Sequence, residues 1–362
     1  MQVVFVHGVN NRDGADGAYA QEVAARTDRL NRLAFGGMAT IRNPYWGGFG
    51  RPERGLESVP KARSGAQALG LEPGSSSSIG PLFDPGGLDL QEIVGTLSIG
   101  ALQKATKLRR EGERHEIEDF WMAAASFAEM RPHPSWLAQS ATLDEILARI
   151  NAEVEVMQNM RSLGQRWQAG KSSINDFAAA RLRNWSSGFL AQFLGDAFMF
   201  FSRREAGRSV RREITASILD AARSAEAESQ PVVLIGHSMG GSILHDMLTD
   251  PGEIRAIEAD LGRPLEIDLF LSVGTQIGLF SELGQFASPG RDRPLLVQCA
   301  NYWNIFDFAD TLSFLCEPSL AGVVDLEVNT ASGVLRAHNA YFDNTVFFTR
   351  LHARLKGAGL VA

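Results

Sequence analysis

The sequence predicts an α/β fold: a doubly wound, mostly parallel sheet carrying one large, mainly helical insertion. Six short apolar runs bounded by turn residues predict the sheet, namely "QVVFVHG", "MATIRNPYW", "PVVLIGH", "EIDLFLSVGT", "LLVQCANYW" and "GVVDLEVN". Runs that are apolar throughout, rather than alternating, suit strands buried on both faces. Helical patterns lie between several of them, and strands alternating with helices build a parallel sheet covered on both sides.

"QVVFVHG" opens the chain as a strand, and Gly17 to Phe35, rich in Ala, Glu, Gln and Arg, reads as the helix leading to the second strand. From about Gly47 to Glu205 the rhythm breaks. As far as about Leu90 the chain is rich in Gly, Pro and Ser, including "EPGSSSSIGP", and predicts loop. Helix follows: "TLDEILARINAEVEVM" has a capping-box pair, Thr142 and Glu145, and sets Leu143, Ile146, Leu147, Ile150, Val154 and Met157 on one stripe. Residues 47–205 therefore read as an insertion into a core made of residues 1–46 and 206–362. Val210, Ile214, Ile218 and Ala221 then share one face of the helix before "PVVLIGH".

Composition narrows the function classes. A net charge of -7 argues against a broad nucleic-acid-binding surface, so no nucleic-acid partner is expected. The two cysteines, Cys299 and Cys316, are too few for a disulfide scaffold or a cysteine-only zinc site and read as buried thiols. The opening strand leaves no room for a signal peptide. The most apolar stretch, "FLAQFLGDAFMFF", is too short to span a bilayer and contains Gln192 and Asp196. A cytoplasmic protein is expected.

"VVLIGHSMGGSIL" carries the chemistry. A buried strand ends in Gly236-His237-Ser238-Met239-Gly240 and passes at once into helix-compatible residues. In a G-x-S-x-G turn the serine stands on a sharp strand-to-helix bend that lifts its hydroxyl above the sheet edge. Gly236 and Gly240 allow strand and helix to approach, and the helix N-terminus faces the place where negative charge develops. Through this turn, "VFVHGVN" near the start and "RAHNAYF" near the end, the chain resembles the α/β-hydrolase superfamily, specifically its lipase and serine-esterase branch. The resemblance covers about the first 45 residues and Ala206 onward.

The resemblance implies a Ser-His-Asp set in chain order serine, acid, base. Ser238 is the expected nucleophile. Its oxyanion donors are the backbone N–H groups of Met239 and Val9, with His7 shaping the loop around Val9. Of the seven histidines, His338 is the expected base because it lies in "NTASGVLRAHNAYF", after the last strand, where "HNAY" resembles an H-x-x-Y pattern. His237, beside the serine, points elsewhere by strand alternation, and His352 is the reserve. "NIFDFADTLS" offers two acids. Asp310 is preferred by similarity to a W-x-N-x-x-D-x-x-D-P-V pattern, although Thr311 and Leu312 stand where Pro and Val are expected. Asp307 is held in reserve and otherwise braces the loop; Asp325 and Glu327 come after it.

These residues imply a serine esterase that requires no metal or organic cofactor. Residues 47–205 become a cap or lid. "GTQIGLFSELGQF" and "WSSGFLAQFLGDAFMFF" are apolar enough to form an acyl pocket, which favours lipid or other apolar esters. A thioesterase or amidase would use the same residues, and a non-catalytic binding or signalling module on this fold is the alternative from another class. The cluster Arg203, Arg204, Arg208, Arg211 and Arg212 reads as a solvated helix face, with transient contact to an anionic membrane surface as the other reading.

Overall fold

All six apolar runs contribute strands to parallel pairings. The computed structural model describes residues 1–8, 18–49, 90–106, 108, 110–137, 143–158, 200, 205–286, 294–330 and 337–362. In chain order the elements begin with β1 (Gln2–Val6), α1 (Ala18–Arg29), a π-helical turn (Leu30–Ala34) and β2 (Thr40–Arg42). The insertion provides α2 (Leu90–Thr106), α3 (Glu111–Met130) and α4 (Leu143–Gln158). Then come α5 (Glu205–Glu228), β3 (Val232–His237), α6 (Met239–Thr249), α7 (Pro251–Leu261), β4 (Glu266–Ile267), β5 (Leu269–Val273) and α8 (Ile277–Glu282). The chain finishes with β6 (Gln298–Cys299), β7 (Tyr302–Phe306), β8 (Val324–Glu327), α9 (Ala337–Ala340) and α10 (Thr345–Gly357).

The main sheet has six strands in the order β2-β1-β3-β5-β7-β8, all parallel, while β4 and β6 form a separate parallel pair. Its two faces carry different cores. Val3, Phe5, Val233, Ile235, Leu271, Val273, Trp303 and Ile305 face one apolar cluster. Val4, Val6, Val232, Leu234, Phe270 and Tyr302 face the other. This period of two, apolar on both sides, is why the strands read as unbroken apolar runs.

Helices α5 to α8 supply the second cluster; Val210, Ile214, Ile218 and Ala221 of α5 are all buried in it. The first cluster joins α10 to α2, α3 and α4 of the insertion. Ile146, Leu147, Ile150 and Val154 bury the stripe expected along α4, whereas Thr142 and the side chains of Leu143 and Met157 lie outside the described residues. Within residues 47–205, the described helices are therefore a packed layer on one face of the sheet.

Arg29 ties this layer together. At 2% exposure, it donates from Nε to Glu118 at 3.0 Å. Its Nη1 donates to the Phe342 carbonyl at 3.2 Å and to Asp343, and its Nη2 to the Leu102 carbonyl at 2.7 Å and to Thr106 Oγ1. One guanidinium thus joins α1, α2, α3 and the turn that follows α9, with its donors matched to acceptors as burial demands.

Strand order reverses at β1 and β3. The connection after β1 leads outward to β2, and the connections after β3 lead the other way. The connections leaving their carboxyl ends therefore part to opposite faces of the sheet, the usual position for a ligand in an open parallel sheet. Among the described residues no helix is long and apolar enough to cross a membrane.

Candidate active site

Ser238 directly follows β3, at this reversal of strand order. Its backbone has φ 53° and ψ −131°, a conformation that costs a non-glycine residue about 1–3 kcal/mol and persists only where its surroundings impose it. Several neighbours do so. Ser238 N–H donates to the Val273 carbonyl at 3.0 Å, and the Ser238 carbonyl accepts from Gly241 N–H at 3.0 Å. The flanking glycines are steric necessities. A Cβ on Gly236 would lie 2.3 Å from Gly241 Cα, and one on Gly240 would lie 2.2 Å from the Val6 carbonyl oxygen. The spacing G-x-S-x-G is therefore the geometry of a strand and a helix in main-chain contact around a strained serine.

The side chains of Ser238, His338 and Asp310 meet although they are far apart in sequence. Ser238 Oγ is 2.7 Å from His338 Nε2. His338 Nδ1 is 2.9 Å from Asp310 Oδ2 and 3.1 Å from Oδ1. An ionised carboxylate only accepts, so Nδ1 carries the proton and Nε2 is left to accept from the serine hydroxyl. The three residues are 1%, 3% and 3% exposed. Asp310 comes from the loop after β7 and His338 from α9 after β8, so parallel neighbouring strands deliver both to the same sheet edge.

Asp310 is held by further donors. Its Oδ2 accepts from the Tyr341 hydroxyl at 2.9 Å and its Oδ1 from Leu312 N–H at 3.0 Å. Burial, and then the Asp310 charge, push the Tyr341 phenol well above its ordinary range, so it remains a donor. Tyr341 is the last residue of the H-x-x-Y pattern. Asp307, held in reserve on sequence, faces away from His338: its Oδ2 accepts from Thr330 N–H at 2.7 Å and Thr330 Oγ1 at 2.6 Å, and its Oδ1 from Ala309 N–H at 2.8 Å. It braces the loop. Asp325 accepts from Asn304 Nδ2 and from the N–H groups of Cys316 and Glu317, also apart from the site.

Met239, expected to supply an oxyanion donor, opens α6, and the first N–H groups of a helix have no partner within it. Val9, expected to supply the other, lies outside the described residues. Gly8 at the end of β1 comes close enough that a Cβ there would sit 2.8 Å from Ser238 Cβ. His7, just before it, stacks on Trp46 with ring centroids 5.0 Å apart. His7 Nδ1 contacts the Gly8 carbonyl at 2.8 Å while Nε2 accepts from Trp46 N–H at 3.4 Å. Burial lowers its pKa to about 4. Both ring nitrogens are engaged in shaping the loop.

His352 contacts the Ala34 carbonyl through Nδ1 at 2.9 Å, away from the site. Arg211 is buried and paired with Asp246, with its guanidinium 4.5 Å from the Phe200 ring centroid, so it is part of the core and not of a solvated face. Arg203, Arg204 and Asp196 lie outside the described residues, as does all of "WSSGFLAQFLGDAFMFF" except Phe200. Cys316 is buried and Cys299 partly so, both as free thiols.

Asp28, His115 and Glu118 bring potential metal-ligating atoms within 4.8 Å of one another. The guanidinium groups of Arg29 and Arg32 already occupy Glu118, and that of Arg114 lies 3.1 Å from Asp28. This is an ion-pair network.

No model of a protein family, no curated protein and no solved structure matches the chain.

Proposed function

We propose that this protein is a serine hydrolase of the α/β-hydrolase type that cleaves carboxylic esters through a Ser238-His338-Asp310 triad. The observation that carries this reading is the continuous relay of contacts from Ser238 Oγ to His338 Nε2 and from His338 Nδ1 to Asp310. Ser238 Oγ attacks the acyl carbon as its proton passes to His338 Nε2. Asp310 holds the imidazole in the required tautomer and stabilises its positive charge. The oxyanion is held by main-chain N–H groups, each worth about 100- to 1000-fold in rate. Collapse expels the alcohol, which takes the proton from His338. Water, deprotonated by the same histidine, then releases the carboxylic acid and restores the serine.

Apolar groups around the carboxyl edge favour a lipid or other apolar acyl group. Phe308 and Leu315, in the loop between β7 and β8, are 77% and 44% exposed, and Leu283, at the end of α8, is 60% exposed. Within the stretch expected to line an acyl pocket, Ile277 and Phe286 instead pack in the second core cluster. No metal or organic cofactor is needed for the chemistry.

A panel of p-nitrophenyl esters of increasing chain length, set beside matched thioesters and amides, tests the reading. Ester turnover that rises with chain length and is lost in Ser238→Ala is expected. Faster turnover of thioesters or amides would reassign the substrate class. Binding without turnover, unchanged in Ser238→Ala, would point to a binding module and overturn the hydrolase assignment.

A further inference from the structure

Alternation along β3 turns the His237 side chain away from the serine it precedes. In the structure that side chain reaches the main chain of the other histidine: His237 Nε2 lies 2.8 Å from the His338 carbonyl oxygen. A carbonyl only accepts, so His237 carries its proton on Nε2 and donates. The two rings lie 5.2 Å apart with planes inclined by 32°, and Phe342 closes edge-on against His237 at 5.3 Å.

The element that carries His338 needs such support. Helix α9 has only four residues, Ala337–Ala340, too short to fix its own direction by internal hydrogen bonds. Asp310 ties the His338 ring at Nδ1, and the ring must also present Nε2 to Ser238. Holding Nε2 on Ser238 requires that the main chain of His338 be fixed as well as its ring. His237 ties the main chain at the carbonyl of the same residue. It is itself anchored in a buried central strand, one position from Ser238, so it links the nucleophile's backbone to the base's backbone directly.

We propose that His237 is a positioning residue that sets the distance between Ser238 Oγ and His338 Nε2 by holding the His338 carbonyl. The proposal rests on the hydrolase reading and adds to it a residue that touches neither substrate nor reacting atoms. Desolvation, followed by the charge of His338, lowers the pKa of His237 to about 3. The ring therefore stays neutral at ordinary pH and keeps this donor when the His338 imidazolium forms.

The test is the reaction of a fluorophosphonate probe with the full chain, separating reversible affinity from the first-order rate of serine modification. Gln places an amide N–H near the position of Nε2, whereas the amide of Asn stops near Nδ1. His237→Gln is expected to react within about 3-fold of the wild type. His237→Asn and His237→Leu are expected to lose about 10- to 100-fold in the first-order rate, the range for displacing a catalytic group by up to about 1 Å. Probe affinity should stay within about 3-fold, with melting temperatures measured alongside.

Equal first-order rates for Gln and Asn variants would overturn the proposal, as would a loss seen only in affinity. Should His237→Leu fail to fold, the Gln and Asn pair decides alone. A wild type that fails to react at Ser238 refutes the hydrolase reading itself, an outcome distinct from a reactive wild type whose rate is indifferent to His237.

Discussion

Exchanging either of two neighbouring aspartates for asparagine should have opposite consequences. Asp310→Asn leaves one amide nitrogen where carboxylate oxygens now accept from His338 Nδ1, Tyr341 and Leu312 N–H. If the amide nitrogen takes the Oδ2 position, it faces the imidazole as a donor. Nδ1 must then accept, the proton moves to Nε2, and Nε2 no longer takes a proton from Ser238. If it takes the Oδ1 position, it opposes Leu312 N–H and loosens the loop. Turnover is expected to fall about 1,000- to 10,000-fold, the loss known for the same change in another serine hydrolase, or about 4–5 kcal/mol in barrier. Asp307→Asn instead loses either the Ala309 or the Thr330 donors, and hydrogen bonds to charged groups are worth about 1.5–3 kcal/mol each. It should cost about 2–4 kcal/mol of stability in urea unfolding and less than about 10-fold in turnover. Steady-state ester hydrolysis paired with urea midpoints reads both. A catalytic collapse in Asp307→Asn with Asp310→Asn near wild type would refute the reasoning.

Further expectations concern the frame around the site. Gly240→Ala puts a Cβ 2.2 Å from the Val6 oxygen and 2.4 Å from that of His7, both main-chain atoms that cannot step aside; it should destabilise by about 3 kcal/mol or more in urea. Arg29→Met takes one of two guanidinium partners from Glu118, which is fully buried and keeps Arg32, and it also removes the donor to the Leu102 and Phe342 carbonyls; it should cost about 3 kcal/mol in the same assay. His7 has a folded pKa lowered from 6.5 to about 4, so the unfolded chain binds the extra proton first. Its contribution is complete above pH 6.5 and is lost as pH falls toward about 4, by about 2 kcal/mol on reaching pH 5. Urea midpoints at pH 7 and 5 should therefore differ more in the wild type than in His7→Gln.

Much of this architecture was legible in the residues. Strands buried on both faces are apolar at nearly every position, so "VVLI", "LFLSV" and their counterparts announce themselves without tertiary information. The serine turn is equally legible, because main-chain contact between strand and helix permits only glycine at Gly236 and Gly240. His338 and Asp310 were expected from the resemblance to the hydrolase pattern, which singled out Asp310 over Asp307, and parallel strands deliver the loops that carry them to one edge. Local turn chemistry marked one of the two aspartates as a brace, and Asp307 is one.

Illegible were contacts made between elements remote in sequence. Alternation says that the His237 side chain leaves the serine, but not that the carbonyl of a residue about 100 positions later meets it. Arg29 lies in an ordinary amphipathic helix and resembles a surface arginine until α2, α3 and the turn after α9 close around it. Arg211 sits in a run of arginines that reads as solvated, yet Asp246 on another helix draws it into the core. The apolar stripes of α2 to α4 require a partner without naming α10 as that partner.

The central claim is that Ser238 is an activated nucleophile. The most direct measurement is exposure of the protein to a fluorophosphonate probe, with and without detergent, followed by mass mapping of the modified peptide. A single adduct on Ser238 is expected, absent in Ser238→Ala and formed far more slowly in His338→Ala. An unmodified wild type, or an adduct that persists on another residue in Ser238→Ala, would contradict it.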